Sequence, residues 1–521
     1  MKSRSSVRLQ PDRHSKARST TARRAGLTAC AATIVALTLA ACRSARPAPP
    51  ALSAHPTVPA PAAIVRLQHD IDAILNQPVL AHSYWGVLVT SLKSNETLYT
   101  LNARRLMMPA SNMKVVTLAA AADRLGWDYS YETRIVAAGS IANGTLDGDL
   151  VVVGSGDPSL MDGDAPLEGW AARLKQRGIQ RIAGRIVGDD NAFSDEGLGF
   201  GWSWDDLPDD YAAGAGALQF NENAVRVTVT PGPAAGDWAG IAVDPVTSGL
   251  VIRSTVRTGE PNSAPHVETH RLPGSAELEL RGSVPAGSAP GVHVVSVDNP
   301  TLFFVTALRH ALIANGIDVR GPAMDIDDIR DAPARGMGAP IVSFHSPPLS
   351  TLAIRLMKIS QNLYAETFLT TLGAATGQAS AAAGRTTAQA VLAPWGVSEG
   401  DLIQRDGSGL SRYDYVTPEA LVTILAHVDR DARLRGPFEA ALPIAGRDGT
   451  LSNRMKGTPA EGNARAKTGS MANVRALSGY VTTADGEPLV FSILANNFET
   501  PADVITRTAD AIVVRLATFK R

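Results

Sequence analysis

Cysteine is nearly absent from this chain, with two residues in 521, Cys30 and Cys42. Cys30 falls in an N-terminal segment that reads as removable, so no pair remains for a disulfide and stability must come from apolar cores. Long apolar runs are also missing. The best, residues 27–41, has 15 residues, short of the roughly 20 that a bilayer-spanning helix needs. Aromatics make up only 5%, and no basic stripe interleaves with them, which excludes a nucleic-acid footprint. No fixed-period repeat suggests a solenoid or propeller. His266 and His270 have ligand-like spacing, but no His-Glu-x-x-His, cysteine pair or third clustered ligand joins them. They read as solvated strand histidines, and no metal or organic cofactor is implied.

The net charge of −1 hides an asymmetry. Eight of the 49 Lys/Arg and one of the 50 Asp/Glu lie in residues 1–41, leaving 41 against 49, a net of −8. A basic start, an apolar run and Leu39-Ala40-Ala41-Cys42 make an export signal over 1–41. The last four residues resemble the lipobox of bacterial lipoproteins, which implies lipidation at Cys42; an ordinary signal-peptidase site nearby is the alternative. Arg23-Arg24 lacks the flanking residues of a twin-arginine signal. Residues 42–62 are rich in proline and alanine, a composition suited to an extended spacer.

Length and the 45% hydrophobic content allow two or three domains. Ile64, Leu67, Ile71 and Ile74/Leu75 recur at helical spacing, and two strand-like runs, 84–92 and 96–101, follow. At the other end, runs 474–483 and 488–497 form a hairpin around Ala484-Asp485-Gly486-Glu487, and 504–519 is helix-periodic. The economical arrangement is one antiparallel sheet drawn from both ends of the chain, the terminal helices on one face and a helical cluster on the other. Between them, 137–340 is punctuated by short Val/Ile/Thr runs (148–154, 181–187, 224–229, 250–256, 276–280, 291–297) and one helix, 301–315. The division is thus 63–136 with 341–521 as parent domain and 137–340 as a β-rich insertion.

Three short polar motifs lie far apart: Ser111-Asn112-Met113-Lys114, Ser360-Gln361-Asn362 and Lys467-Thr468-Gly469-Ser470. Each alone is weak; the ordered set describes one acyl-transfer site. Ser111 and Lys114, three residues apart at a helix start, share a face. A serine needs a base, and a lysine serves only if burial or a neighbouring cation, here Lys467, depresses its pKa. Ser360 is expected to relay a proton to the leaving amine and Asn362 to bond a substrate amide. Lys467 and Thr468 are expected to hold a substrate carboxylate, Gly469 to admit close backbone approach, and the N–H groups of Ser470 and Ser111 to form an oxyanion hole. Gly396-Val397-Ser398-Glu399-Gly400 matches a nucleophile elbow, but it follows a helix and joins no strand to a helix, so it is set aside.

The set resembles the penicilloyl-serine enzymes, and within them the class C low-molecular-weight penicillin-binding proteins, the D-alanyl-D-alanine carboxypeptidase/endopeptidase family. The likeness extends to Gly154-Ser155-Gly156-Asp157-Pro158, Trp202-Ser203-Trp204-Asp205-Asp206, Asn221-Glu222-Asn223, Arg405-Asp406-Gly407-Ser408-Gly409 and Gly446-Arg447-Asp448-Gly449-Thr450. It implies an α/β (α+β) fold: a β-lactamase/transpeptidase-like domain, an antiparallel sheet between helices, with a large insertion of two nested domains. It implies Ser111 as nucleophile, Lys114 as base, and Ser360, Asn362 and Lys467 in the roles above. It further implies that Asp206, or Asp205 beside it, meets the free amine of a diaminopimelate stem peptide, with Arg412 and Met471 in the same pocket. Peptidoglycan stem peptides are then the substrates and β-lactams covalent inhibitors. The location implied is periplasmic, by a lipid anchor, with Arg43 after the cysteine pointing to the outer membrane. A β-lactamase of the same fold and a catalytically silent wall-binding protein remain as alternatives. Against the first stands the lack of a Glu-x-x-Leu-Asn segment to activate a deacylating water.

Overall fold

The computed structural model describes residues 61–161, 166–194, 196–330, 332, 340–375, 377 and 379–521. The expected export signal, Cys42, Arg43 and most of the spacer lie outside them. Among the described residues no helix is long and apolar enough to cross a membrane.

The central sheet has five strands in the order Arg465–Met471, Val474–Thr482, Pro488–Asn496, Tyr84–Ser91, Thr97–Leu101, every neighbouring pair antiparallel. Both chain ends therefore build it, as the patterning predicted. Side chains alternate across a strand, and here both sides are buried. Val87, Val89, Phe491 and Ile493 pack against Ile64, Leu67 and Ile71 of helix Ala62–Leu75 and Ile505, Ile512 and Leu516 of helix Ala502–Ala517. Leu88, Val490 and Leu494 turn the other way, onto a helical cluster that includes Val115, Leu118, Leu356, Phe368, Leu421 and Leu425.

That cluster contains helices Met113–Leu125, Leu349–Lys358, Asn362–Ala374, Pro418–Arg430 and Ala432–Ala441. The last two are absent from the sequence reading, although Thr417 caps Pro418–Arg430 by accepting from the Ala420 N–H and proline sits at its first position, both ordinary start signals.

The chain leaves along strand Glu132–Ala142 and returns along Pro340–His345, and the two pair antiparallel. The expected crossing points, 136/137 and 340/341, fall inside or at the end of these strands. Both belong to a seven-stranded sheet with Thr145–Val153, Arg181–Ile182, Ile186–Asp189, Asp318–Val319 and Ala323–Asp325. The run 181–187, expected as one strand, is broken in two at Ala183-Gly184-Arg185. Between Ile186–Asp189 and Ala323–Asp325 the chain makes two smaller sheets, a three-stranded one around Ala224–Thr230 and a four-stranded one around Glu277–Pro285. His266 and His270 lie on the latter, both facing Glu268 at 3.0 and 3.4 Å.

Candidate active site

Ser111 sits on a single 3-10 turn, Ala110–Asn112, that runs straight into helix Met113–Leu125. The expected helix start is thus a tighter turn before the helix proper. Lys114, completely buried, sends Nζ to three acceptors: Ser111 Oγ at 3.0 Å, Asn362 Oδ1 at 2.6 Å and the Ser408 carbonyl at 2.9 Å. The amide and the peptide carbonyl can only accept, so two N–H bonds are fixed. The remaining direction faces Ser111, where an ammonium donates and a neutral amine presents its lone pair. Which end of the Asn362 amide faces Lys114 is itself determined, because Nδ2 donates to the Tyr211 carbonyl at 2.7 Å.

Burial pushes Lys114 down to about 7, against the pull of Asp406, Glu366 and Asp414. Desolvation disfavours the charged form of a lysine, and it outweighs all three carboxyl groups. Of the two causes expected, burial is the one at work, and the Lys467 charge is not. The effect runs the other way, since Lys467 is held well below its ordinary value by burial first and by the Lys114 charge second.

Ser360 occupies the joint between helices Leu349–Lys358 and Asn362–Ala374 with φ 66°. A non-glycine residue in the left-handed region is uncommon and recurs at functional sites. Its Oγ accepts from Lys467 Nζ at 2.8 Å, and the same amine donates to the Thr468 carbonyl at 2.8 Å. Lys467 is completely buried and does not line the cleft, whereas Thr468 does. The Lys-Thr-Gly-Ser run lies within edge strand Arg465–Met471 and does not begin it. A Cβ on Gly469 would stand 2.6 Å from the Pro109 carbonyl. The close approach that glycine permits here is that of the Ser111 segment, which Asn112 Nδ2 ties to the Lys467 carbonyl at 3.1 Å.

These groups surround a cleft of about 480 Å³ lined by Ser111, Ser360, Asn362, Thr468, Ser470, Met471, Asp206 and Arg412. All three motifs and the rim residues thus come together, although Ser111 and Asn362 lie in distant parts of the chain. Of the two candidate acids, Asp206 lines the cleft and Asp205 does not; Asp206 Oδ1 accepts from the Tyr211 hydroxyl at 2.9 Å. Tyr211 and Thr450 are among the lining residues to which the sequence reading gave no role. Tyr211 contributes a ring, a hydroxyl and the carbonyl that orients Asn362. Thr450 accepts from Thr468 Oγ1 at 2.7 Å, on a loop pinned by Lys358 Nζ to Asp448 at 2.6 Å. The Gly446-Arg447-Asp448-Gly449-Thr450 match was the clue to it. Gly396 and Ser398 follow a 3-10 turn and join no strand to a helix, and they are not part of the cleft.

One cluster of three carboxylates within metal-ligand reach occurs among the described residues, Asp190, Asp325 and Asp327. It lines a separate cleft of about 350 Å³ in the inserted region and shares no residue with the Ser111 cleft.

Comparison with known proteins identifies the family. A family model described as the D-Ala-D-Ala carboxypeptidase 3 (S13) family matches residues 67–519. The D-alanyl-D-alanine carboxypeptidase of Actinomadura sp. is 35% identical over 471 residues, covering 88% of this chain and 86% of that protein. The crystal structure of penicillin binding protein 4 from Haemophilus influenzae superposes with a TM-score of 0.77 at 27% identity, over 87% of this chain and 99% of that one. The same protein complexed with a β-lactam gives a TM-score of 0.71 at 25% identity, with the same coverage.

Proposed function

The chain belongs to the D-Ala-D-Ala carboxypeptidase 3 (S13) family and is a serine-type D-alanyl-D-alanine carboxypeptidase, and from that premise we propose that Ser111 is its nucleophile and Lys114 its base. The observation that carries this is the buried Lys114 amine, 3.0 Å from Ser111 Oγ with its other two directions fixed by Asn362 and Ser408. As Ser111 Oγ attacks the penultimate D-alanyl carbonyl, its proton passes to Nζ. Charge on the carbonyl oxygen is met by the N–H groups of Ser111 and Ser470. The leaving D-alanine amine takes a proton by way of Ser360, and water then hydrolyses the acyl-enzyme. Thr468 and Thr450 receive the terminal carboxylate. Asp206, Tyr211 and Arg412 form the rim that meets the third stem residue.

The enzyme acts on bacterial cell-wall peptides. We further assign residues 1–41 as export signal, Cys42 as lipid attachment site and the outer membrane as destination. Loss of membrane association in Cys42→Ser checks the anchor, and unchanged fractionation removes it. Cleavage of cross-links by the same acyl-enzyme is the second activity proposed. The domain division supported best by strand pairing places 63–131 and 346–521 in the catalytic part and the segment between in the insertion.

The test is incubation of the mature protein with purified muropeptides, with products resolved by mass. Loss of one D-alanine is expected, and conversion of dimers to monomers reports the endopeptidase activity. A labelled penicillin should leave an adduct on Ser111; an undiminished adduct in Ser111→Ala would sink the assignment.

A further inference from the structure

Three carboxyl groups lie near Lys114 that the acylation step itself does not use: Glu366, Asp406 and Asp414, with 5%, 1% and 0% of their surface exposed. Glu366 is four residues beyond Asn362 on helix Asn362–Ala374, hence on the same helical face. Its Oε2 accepts the Gly407 N–H and its Oε1 the Ser408 N–H, both at 2.8 Å. The carbonyl of Ser408 is one of the two fixed acceptors of Lys114 Nζ, at 2.9 Å. Asp406 holds the next part of the loop, taking the Gly409 N–H on Oδ1 and the Ser411 N–H on Oδ2, each at 2.7 Å, with Trp202 Nε1 also on Oδ2 at 2.8 Å. Asp414 Oδ1 accepts from the Arg405 N–H at 2.5 Å.

Two successive N–H groups held by one carboxyl group fix the orientation of the peptide between them. That peptide leads straight into the next, Ser408–Gly409, whose carbonyl faces the base and whose N–H is held by Asp406. A Cβ on Gly407 would stand 2.3 Å from the Ala365 carbonyl, so the loop lies directly on the Glu366 helix and has no room to rotate.

We propose that Glu366 is a positioning residue for the general base, acting through the Gly407–Ser408 peptide to fix the acceptor that aims Lys114 at Ser111. The proposal rests on the reading of Lys114 as base. Its second consequence concerns the pH dependence. The charged or titratable groups facing Lys114 are Asp406, Glu366 and Asp414 from the loop and the Asn362 helix, and Lys467 from the edge strand. Burial drives both lysines down, joined at Lys467 by the Lys114 charge; the carboxyl groups oppose it at Lys114, which stays at about 7. Glu366 is itself pushed up to about 8, by burial first and by Asp406 next, so below that pH its carboxyl is mostly neutral and removing it should leave the midpoint of Lys114 in place.

The experiment measures the rate of penicillin acylation of the full mature protein across about pH 5 to 9, for wild type, Glu366→Gln and Glu366→Asp, with melting temperature as the check on folding. Glu366→Gln keeps the shape but replaces one acceptor oxygen by an NH2 group and cannot ionise. Its plateau rate should fall on the order of tenfold through misplacement of the base, while its acid limb stays near the wild-type midpoint. Glu366→Asp keeps the carboxyl but shortens the reach, so its plateau should fall while its acid limb stays put. Folded Glu366→Gln with the wild-type plateau overturns the proposal. An acid limb displaced to lower pH in Glu366→Gln overturns the reading of Glu366 as neutral in this range. Should Glu366→Gln not fold, an unchanged plateau in folded Glu366→Asp is decisive against the positioning role. Absence of any Ser111 adduct in the wild type would instead sink the underlying reading of the site.

Discussion

On the helical side of the cleft Lys114 lies near Glu366, Asp406 and Asp414, whereas on the strand side Lys467, equally buried, bonds only a hydroxyl and a carbonyl. The first titrates at about 7 and the second well below its ordinary range. Burial is common to both, so it cannot be what separates a base from a donor. The separation comes from the carboxyl groups around one amine and the positive neighbour beside the other. A neutral Lys467 still has two N–H bonds to give, and it has two acceptors, Ser360 Oγ and the Thr468 carbonyl. It is therefore suited to holding Ser360 in its left-handed turn.

The largest expected effect comes from making the helical side unable to exchange a proton. Lys114→Arg leaves a permanent cation, since an arginine side chain does not deprotonate in proteins. Acylation by penicillin should fall by about 10²- to 10⁴-fold, and a loss under tenfold would remove Lys114 from the role of base.

Next in size is the pH dependence of the unmodified enzyme. The useful form is the neutral amine, and its fraction falls as pH drops below the Lys114 value of about 7. The acylation rate should therefore decline about tenfold per pH unit on the acid side. A rate flat down to about pH 5 would show that the base is fully neutral there and that the nearby carboxyl groups do not raise it.

The smallest effect is expected at the rim. Asp206→Ala should slow cleavage of peptides with a free amine on the third residue by on the order of tenfold, while penicillin acylation stays near normal. Remote contacts act on the substrate that makes them. Equal losses for a diaminopimelate peptide and a plain acyl-D-Ala-D-Ala peptide would make Asp206 a structural partner of Tyr211.

Much of the site was legible because its reacting side chains occur in contiguous motifs: Ser111 and Lys114 on one turn, Ser360 and Asn362 across one helix joint. What escaped acts through other groups. Tyr211 matters by its main-chain carbonyl, which carries no residue-type signature. Glu366 had a signal, an acid inside a helix buried from Asn362 to Gly373, since a buried carboxylate needs partners. The partners sit some 40 residues away in a glycine-containing loop, and no local pattern connects them. In the fold, alternation exposed the central strands, while Glu132–Ala142, with its small residues and exposed end, offered little contrast between faces.

The strand bearing Lys467 is the last of the central sheet, with the Val474–Thr482 strand on one side and no strand on the other among the described residues. An unfinished sheet edge ordinarily invites another chain to add itself, which most proteins suppress. Here the Ser111 segment closes in beside Gly469, leaving the margin around Ser470 and Met471 facing the cleft. A short extended peptide can be accepted there by its main chain alone, as an added strand. A visitor seated in this way is recognised first as backbone and only afterwards by its side chains.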